Sequence, residues 1–178
     1  MTLHAKRLST YLNDHLAAAT GGVELAKRAL GSNEGTSYGD FLAEVRETLE
    51  ADKAALLEAM ERLDVDKSPV KESLGWVAEK LGRLKLNGQL IGYSPLSRFI
   101  EVEALSLGLE GKRLMWLALL DTESERFGAD RLRELVARAE RQREGLEEQR
   151  RRAAREATGG PRSTRTSAGT PDAGHRPA

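Results

Sequence analysis

The chain of 178 residues contains no cysteine. It therefore has no disulfide framework and no thiolate to offer as nucleophile or metal ligand. Aromatic residues make up only 4% of it, so base stacking on aromatic platforms has little to work with. Neither sign of charge prevails. The 28 Lys and Arg balance 28 Asp and Glu, which removes the long-range field expected of a nucleic-acid or acidic-membrane binder. The longest apolar run, Leu114 to Leu120, is far short of the roughly 20 residues needed to span a bilayer. The opening MTLHAKRLSTYLNDH lacks the continuous apolar stretch of a secretory signal, so a cytoplasmic protein with no membrane partner is expected.

What is present is helix-forming sequence with apolar residues at spacings of three and four, and strand-like alternation is missing. Five segments follow. The first runs from about Leu3 to Leu30, with Leu8, Leu12, His15, Leu16, Ala19, Val23, Ala26 and Leu30 on one face and Gly31 as its stop. Its Gly21-Gly22 pair lowers helix propensity and points to a close backbone contact. The second, about Tyr38 to Leu63, carries Phe41, Val45, Leu49, Leu56, Ala59 and Leu63, with Asp52 falling inside the stripe. A third opens on Ser68-Pro69 and continues through Val70, Leu74, Val77, Leu81 and Leu84 to Asn87-Gly88.

Ser94-Pro95 starts the fourth segment, which extends to about Asp121 and is apolar on two faces. Leu96, Ile100, Leu107, Leu114 and Leu117 form one face; Phe99, Val102, Leu105, Leu109, Trp116 and Leu120 form the other. Such a helix is expected to be enclosed by its neighbours. In the fifth, about Ala129 to Ala157, a narrow stripe of Leu132, Leu135, Val136, Ala139, Gln142, Leu146, Gln149 and Ala153 runs through dense charge. The stretch TGGPRSTRTSAGTPDAGHRPA has nothing to bury, so the expected division is a helical domain over 1–157 and a disordered tail over 158–178.

Two windings fit five helices. In an up-down bundle every helix alternates in direction. In the other, the 31 residues from Asp64 to Ser94 form a crossover with its own helix, and the second and fourth segments run parallel. The second layout, with the phrases YLNDHLAAATGGVELAKRA, PLSRFIEVEALSLGLEGKRLMW and LVARAERQREGLEEQRRRAA, resembles the ferritin-like helical bundles over about residues 3 to 157. The all-α fold that the resemblance implies is a four-helix bundle with an additional helix in the crossover.

Metal-binding members of that superfamily grip two ions with a Glu from each of two helices and a Glu-x-x-His pair from each of the others. No Glu-x-x-His occurs here: Glu50 is followed three places on by Lys53, and Glu140 by Arg143. Only the single-Glu positions have counterparts, Glu24 and Glu103. The standard site is therefore expected to be absent, with no cofactor and no catalytic residue assigned.

Glu103 and Glu110, seven residues apart, fall within about 20° of each other on the face of Ile100, Leu107 and Leu114. Two acids on an apolar seam need partners. Ion pairing with Lys80, Arg83, Lys85, Lys112 or Arg113 is the expected answer. The alternatives are a metal held with Asp52 and His15, a raised pKa, or a register that leaves both acids at the surface. Asp52 is expected to meet a cation across the interface, and His15 to be a hydrogen-bonded core residue. Leu90, Ile91 and Tyr93, in the loop of residues 87–94, are expected to tuck against the bundle.

The expected function is that of a metal-free binding or scaffold module. A partner protein or second copy would lie along Leu132, Ala139, Leu146 and Ala153 of the last helix. One alternative is a carboxylate-bridged iron or manganese protein, an oxidoreductase or metal store, using Glu24, Asp52, Glu103, Glu110 and His15. Another is a nucleic-acid binder led by the last helix and Arg162, Arg165 and Arg176; it is not expected, because Glu140, Glu144, Glu147, Glu148 and Glu156 interleave with that helix's arginines.

Overall fold

A computed structural model describes residues 2–68 and 93–159. Over these residues the protein is all-α, with helices α1 (Leu3–Gly31), α2 (Ser37–Arg62), α3 (Pro95–Thr122), the single turn α4 (Ser124–Phe127) and α5 (Ala129–Thr158). The starts are set by side-chain caps. The hydroxyls of Thr2, Thr36 and Ser94 accept from the backbone N–H of Ala5, Gly39 and Ser97, and Pro95 supplies a preset first residue. No described helix is long and apolar enough to cross a membrane. The expected third helix, Leu90 and Ile91 of the following loop, and nearly all of the expected tail lie outside the described residues.

Contacts between helix ends give the directions of the helices. His4, at the start of α1, meets Glu123 just beyond the end of α3, at 3.0 Å; Arg28, near the end of α1, meets Glu101 near the start of α3, also at 3.0 Å. These two helices are antiparallel. The end of α2 lies beside the end of α3, because Arg126 donates to the Leu63 carbonyl and Arg62 to that of Phe127. So α2 and α3 run parallel, a relation common to both windings, because strict alternation gives the second and fourth of five segments the same direction. The far end of α5 returns to the starts of both, through Arg98–Glu156 and a hydrogen bond from Arg152 to Ser37, each 3.1 Å. Helix α1 packs on α2 and α3, and α3 packs on α5. The α2 and α5 backbones stand further apart and are joined mainly by side chains.

The apolar interior divides into two clusters. One, at the end where α2 and α3 finish, joins Leu8, Leu12 and Leu16 to Leu56, Met60, Trp116, Leu119, Phe127, Leu132 and Leu135. The other joins Leu25, Ala26, Leu42, Val102, Leu105, Leu109 and Leu146. Helix α3 is not enclosed all round. Its Val102, Leu105, Leu109, Met115, Trp116 and Leu119 are buried, whereas Leu107 is 71% exposed and Leu114 51%. The bulk of Trp116 and Met115 turns that side inward and leaves the Leu107 face out.

Between α1 and α2 the chain turns over Asn33, which is buried and donates to the Ala29 carbonyl at 2.7 Å. Its own carbonyl receives the Thr36 hydroxyl at 2.7 Å and crowds Gly39, where a Cβ would stand 2.4 Å from that oxygen. Of the Gly21-Gly22 pair, Gly21 is buried, whereas a Cβ at Gly22 would meet nothing within 4 Å. Gly145, within α5, is open in the same way. Gly39→Ala is therefore expected to destabilise the fold by about 1–3 kcal/mol. Gly145→Ala should stabilise it by up to about 1 kcal/mol through helix propensity. Opposite shifts of the urea unfolding midpoint check the pair.

Candidate functional site

Three of the four long helices carry a polar residue inside an otherwise apolar stripe, all at the level between the two clusters. On α2, Asp52 sits between Leu49 and Leu56; on α3, Lys112 sits between Leu109 and Trp116; on α5, Gln142 sits between Ala139 and Leu146. Arg138 lies one turn before Gln142. The Lys112 ammonium donates to the Asp52 carboxylate and to the Gln142 side-chain oxygen, and Arg138 pairs with the other Asp52 oxygen. Asp52 is only 4% exposed, the Lys112 side chain 13% and that of Arg138 31%.

This polar waist has a definite electrostatic character. Burial pushes the Lys112 ammonium below its usual range, the Asp52 carboxylate opposes that shift, and Arg138 adds to it. Two cations share one carboxylate, leaving an excess of one positive charge. Both Asp52 oxygens are engaged by bases of the protein itself, and a divalent cation entering here would meet repulsion.

The other predicted site residues are elsewhere. Glu24 points outward and pairs with Lys27 at 3.1 Å. Glu103 and Glu110 do not enter an apolar seam, because the Ile100–Leu107–Leu114 side of α3 turns away from the bundle interior. Glu103 lies 3.7 Å from Arg150. Glu110 is gripped by both ends of the Arg113 guanidinium, at 3.0 and 2.8 Å, which holds its carboxyl below the ordinary range. His15 is half-buried and meets Tyr11 edge-on, with ring centroids 4.6 Å apart. Among the described residues no three His, Asp or Glu side chains converge as a metal site would require.

The buried acids of α3 and its end are instead Glu101 and Glu123. Glu101 binds Arg28 and accepts the Tyr93 hydroxyl at 2.9 Å, while the same hydroxyl receives Asn33 at 2.8 Å. Tyr93 thus tucks against the bundle, and burial is the main cause that pushes its phenol up to about 12. Arg98 is held in this network by Asn33 and lies over the rings of Tyr38 and Tyr93. At the opposite end Glu123 is held by His4 and Arg126.

The last helix also differs from expectation. Leu132, Ala139, Leu146 and Ala153 are all buried in the bundle, so its stripe is not free for a partner. Its outer side borders a groove of about 490 Å³ lined by Ser106, Arg143, Glu144, Glu147, Glu148, Arg151 and Arg155. There Arg150 and Arg151 both bind Glu147, whose carboxyl is held down to about 2 chiefly by the Arg150 hydrogen bond. No protein-family model, curated protein or solved structure matches the chain. The chemistry of the waist rests on its own residues.

An excess of cation makes the waist asymmetric toward mutation. Asp52→Ala leaves two cations without their acid and is expected to cost about 3–5 kcal/mol. Lys112→Met leaves the neutral Arg138–Asp52 pair and should cost about 1 kcal/mol. Urea unfolding of the two variants tests the difference. For His15, burial lowers the pKa from 6.5, with Asp14 partly opposing. The unfolded chain then takes up the proton first, so the contribution is fully present above about pH 6.5 and fades as pH falls toward the lowered value. His15→Gln should flatten the fall in melting temperature between about pH 7 and about pH 5.

Proposed function

We propose that the protein is a cytoplasmic, metal-free helical bundle of ferritin-like layout that serves as a binding or scaffold module. The observation that carries this reading is the waist. Ferritin-like bundles build their metal sites from inward carboxylates on facing helices. Here the inward carboxylate at mid-height, Asp52, is bound by Lys112 and Arg138. The polar ties at both ends favour a rigid frame. Among the described residues the other inward acids, Glu101 and Glu123, are likewise paired with basic side chains.

Elemental analysis of protein produced in iron- and manganese-supplemented medium, purified without chelators, tests the reading. Both metals are expected well below one ion per chain. Iron or manganese near one per chain, lost on Asp52→Asn, would replace this proposal with a carboxylate-bridged metal protein, an oxidoreductase or a metal store.

A further inference from the structure

The side of α1 that points away from the bundle interior is covered at its middle. Ala17 is 4% exposed, and Gly21 is buried as well. Yet the two stand about 140° and about 180° round the helix from Leu12, which faces the core and is fully buried. Neither apolar cluster takes in Ala17, although together they draw Leu8, Leu12, Leu16, Leu25, Ala26 and Ala29 from the same helix. Ala18 and Glu24, next to the pair, are open to solvent. We propose that this ridge of α1 is the docking groove for residues 69–92, which cross the outside of the bundle along it with Leu74 and Val77 set over Ala17 and Gly21.

The places where the chain leaves and returns carry the assignment. Beyond α2 it is fastened to α1 by Asn13, whose amide donates to the Asp66 carbonyl at 3.0 Å and whose side-chain oxygen accepts the Ser68 N–H at 2.7 Å. It reappears at Tyr93, held by Asn33 and by Glu101, the acid that binds Arg28 of α1. Asn13, Ala17 and Gly21 follow one another at steps of four, and Arg28, seven residues on, continues the same ridge. The covered pair thus lies on the straight path between the two attachments.

Length and pattern agree with that path. From Asn13 to Gly31, α1 rises about 27 Å, and residues 69–92 reach about 36 Å as helix, which leaves a turn over for Asn87-Gly88. Val70, Leu74, Val77, Leu81 and Leu84 recur in steps of four and three, an apolar stripe that needs a surface. At equal rise, with Pro69 beside Asn13, Val77 comes level with Gly21 and Leu74 falls within one residue of Ala17. Large side chains then meet small ones, and a bare glycine lets a second backbone come close. Residues 160–178 contain no Val, Ile, Leu, Met, Phe, Tyr or Trp to seat there. The segment is therefore a crossover outside the four long helices, not one more helix around their core.

The chain has no cysteine, so single-cysteine variants of the full chain report cover directly. Maleimide labelling of Ala17→Cys is expected to be at least about tenfold slower than that of Ala18→Cys, its exposed neighbour. Adding Leu74→Glu and Val77→Glu should bring Ala17→Cys to within about twofold of Ala18→Cys, with helical content retained. A second measurement needs no added charge. Ala17→Cys combined with Leu74→Cys should close an intramolecular disulfide under mild oxidation, whereas Ala17→Cys combined with Glu72→Cys, about 160° round a helix from Leu74, should not.

Fast labelling of Ala17→Cys in the otherwise unchanged chain overturns the proposal. So does slow labelling that persists in the folded double glutamate variant, or protection that vanishes on dilution, which would make a second copy the cover. Equal closure of the two cysteine pairs overturns it too, and that comparison decides the matter if the glutamate variant fails to fold. Metal content bears on none of these outcomes, so the metal-free reading stands or falls apart from them.

Discussion

One carboxylate held between two cations organises this bundle. Asp52 on α2 reaches Lys112 on α3 and Arg138 on α5, and Gln142 closes the group from α5. Apolar stripes alone tolerate a slide of one turn, because leucine replaces leucine. A buried charge does not tolerate it, since displacement by one turn, about 5.4 Å, would leave Asp52 against apolar surface without a base. The waist thus sets the depth at which three helices meet. It also joins α2 to α5, whose backbones are not in close contact. A cluster of this kind adds little net stability, but it penalises every other register.

The two ends repeat the arrangement with different partners. Glu101 near the start of α3 and Glu123 just beyond its end face opposite ends of α1, where Arg28 and His4 bind them. Each acid also recruits a residue from a connecting segment: Tyr93 before α3 in one case and Arg126 of α4 in the other. The antiparallel placement of α1 against α3 is thereby specified twice. Asn33 extends the first of these ties into the α1–α2 turn, and Arg98 carries it across to Glu156 at the end of α5.

Helix boundaries were readable because they depend on local chemistry. Ser94-Pro95 caps its own helix, and Gly31 stands at the end of α1. The inward side of α3 was not readable from hydrophobicity, since leucines occur nearly all round it. Side-chain volume decides it, through Trp116 and Met115, and that choice placed Glu103 and Glu110 outside. Lys112 left a clear trace, as it interrupts the run Leu105, Leu109, Trp116, Leu119 at the same depth as Asp52 and Gln142 interrupt theirs. Joining the three required knowing which helices are neighbours. Glu101 left no trace of its own, because Arg28, which neutralises it, lies 73 positions away in the chain; Glu123 has Arg126 three residues on, but its tie to α1, through His4, spans 119 positions.

The division of the interior into two unequal oily compartments bears on how the molecule comes apart. The compartment next to Phe127 holds Trp116 and Phe127 and draws on all four long helices as well as α4; the buried residues of the other are aliphatic. Water that breaches the thinner compartment stops at a layer already wetted by its own ions, instead of running the length of an oil-filled rod. Opening can then be confined to one half, with the Phe127 half still folded.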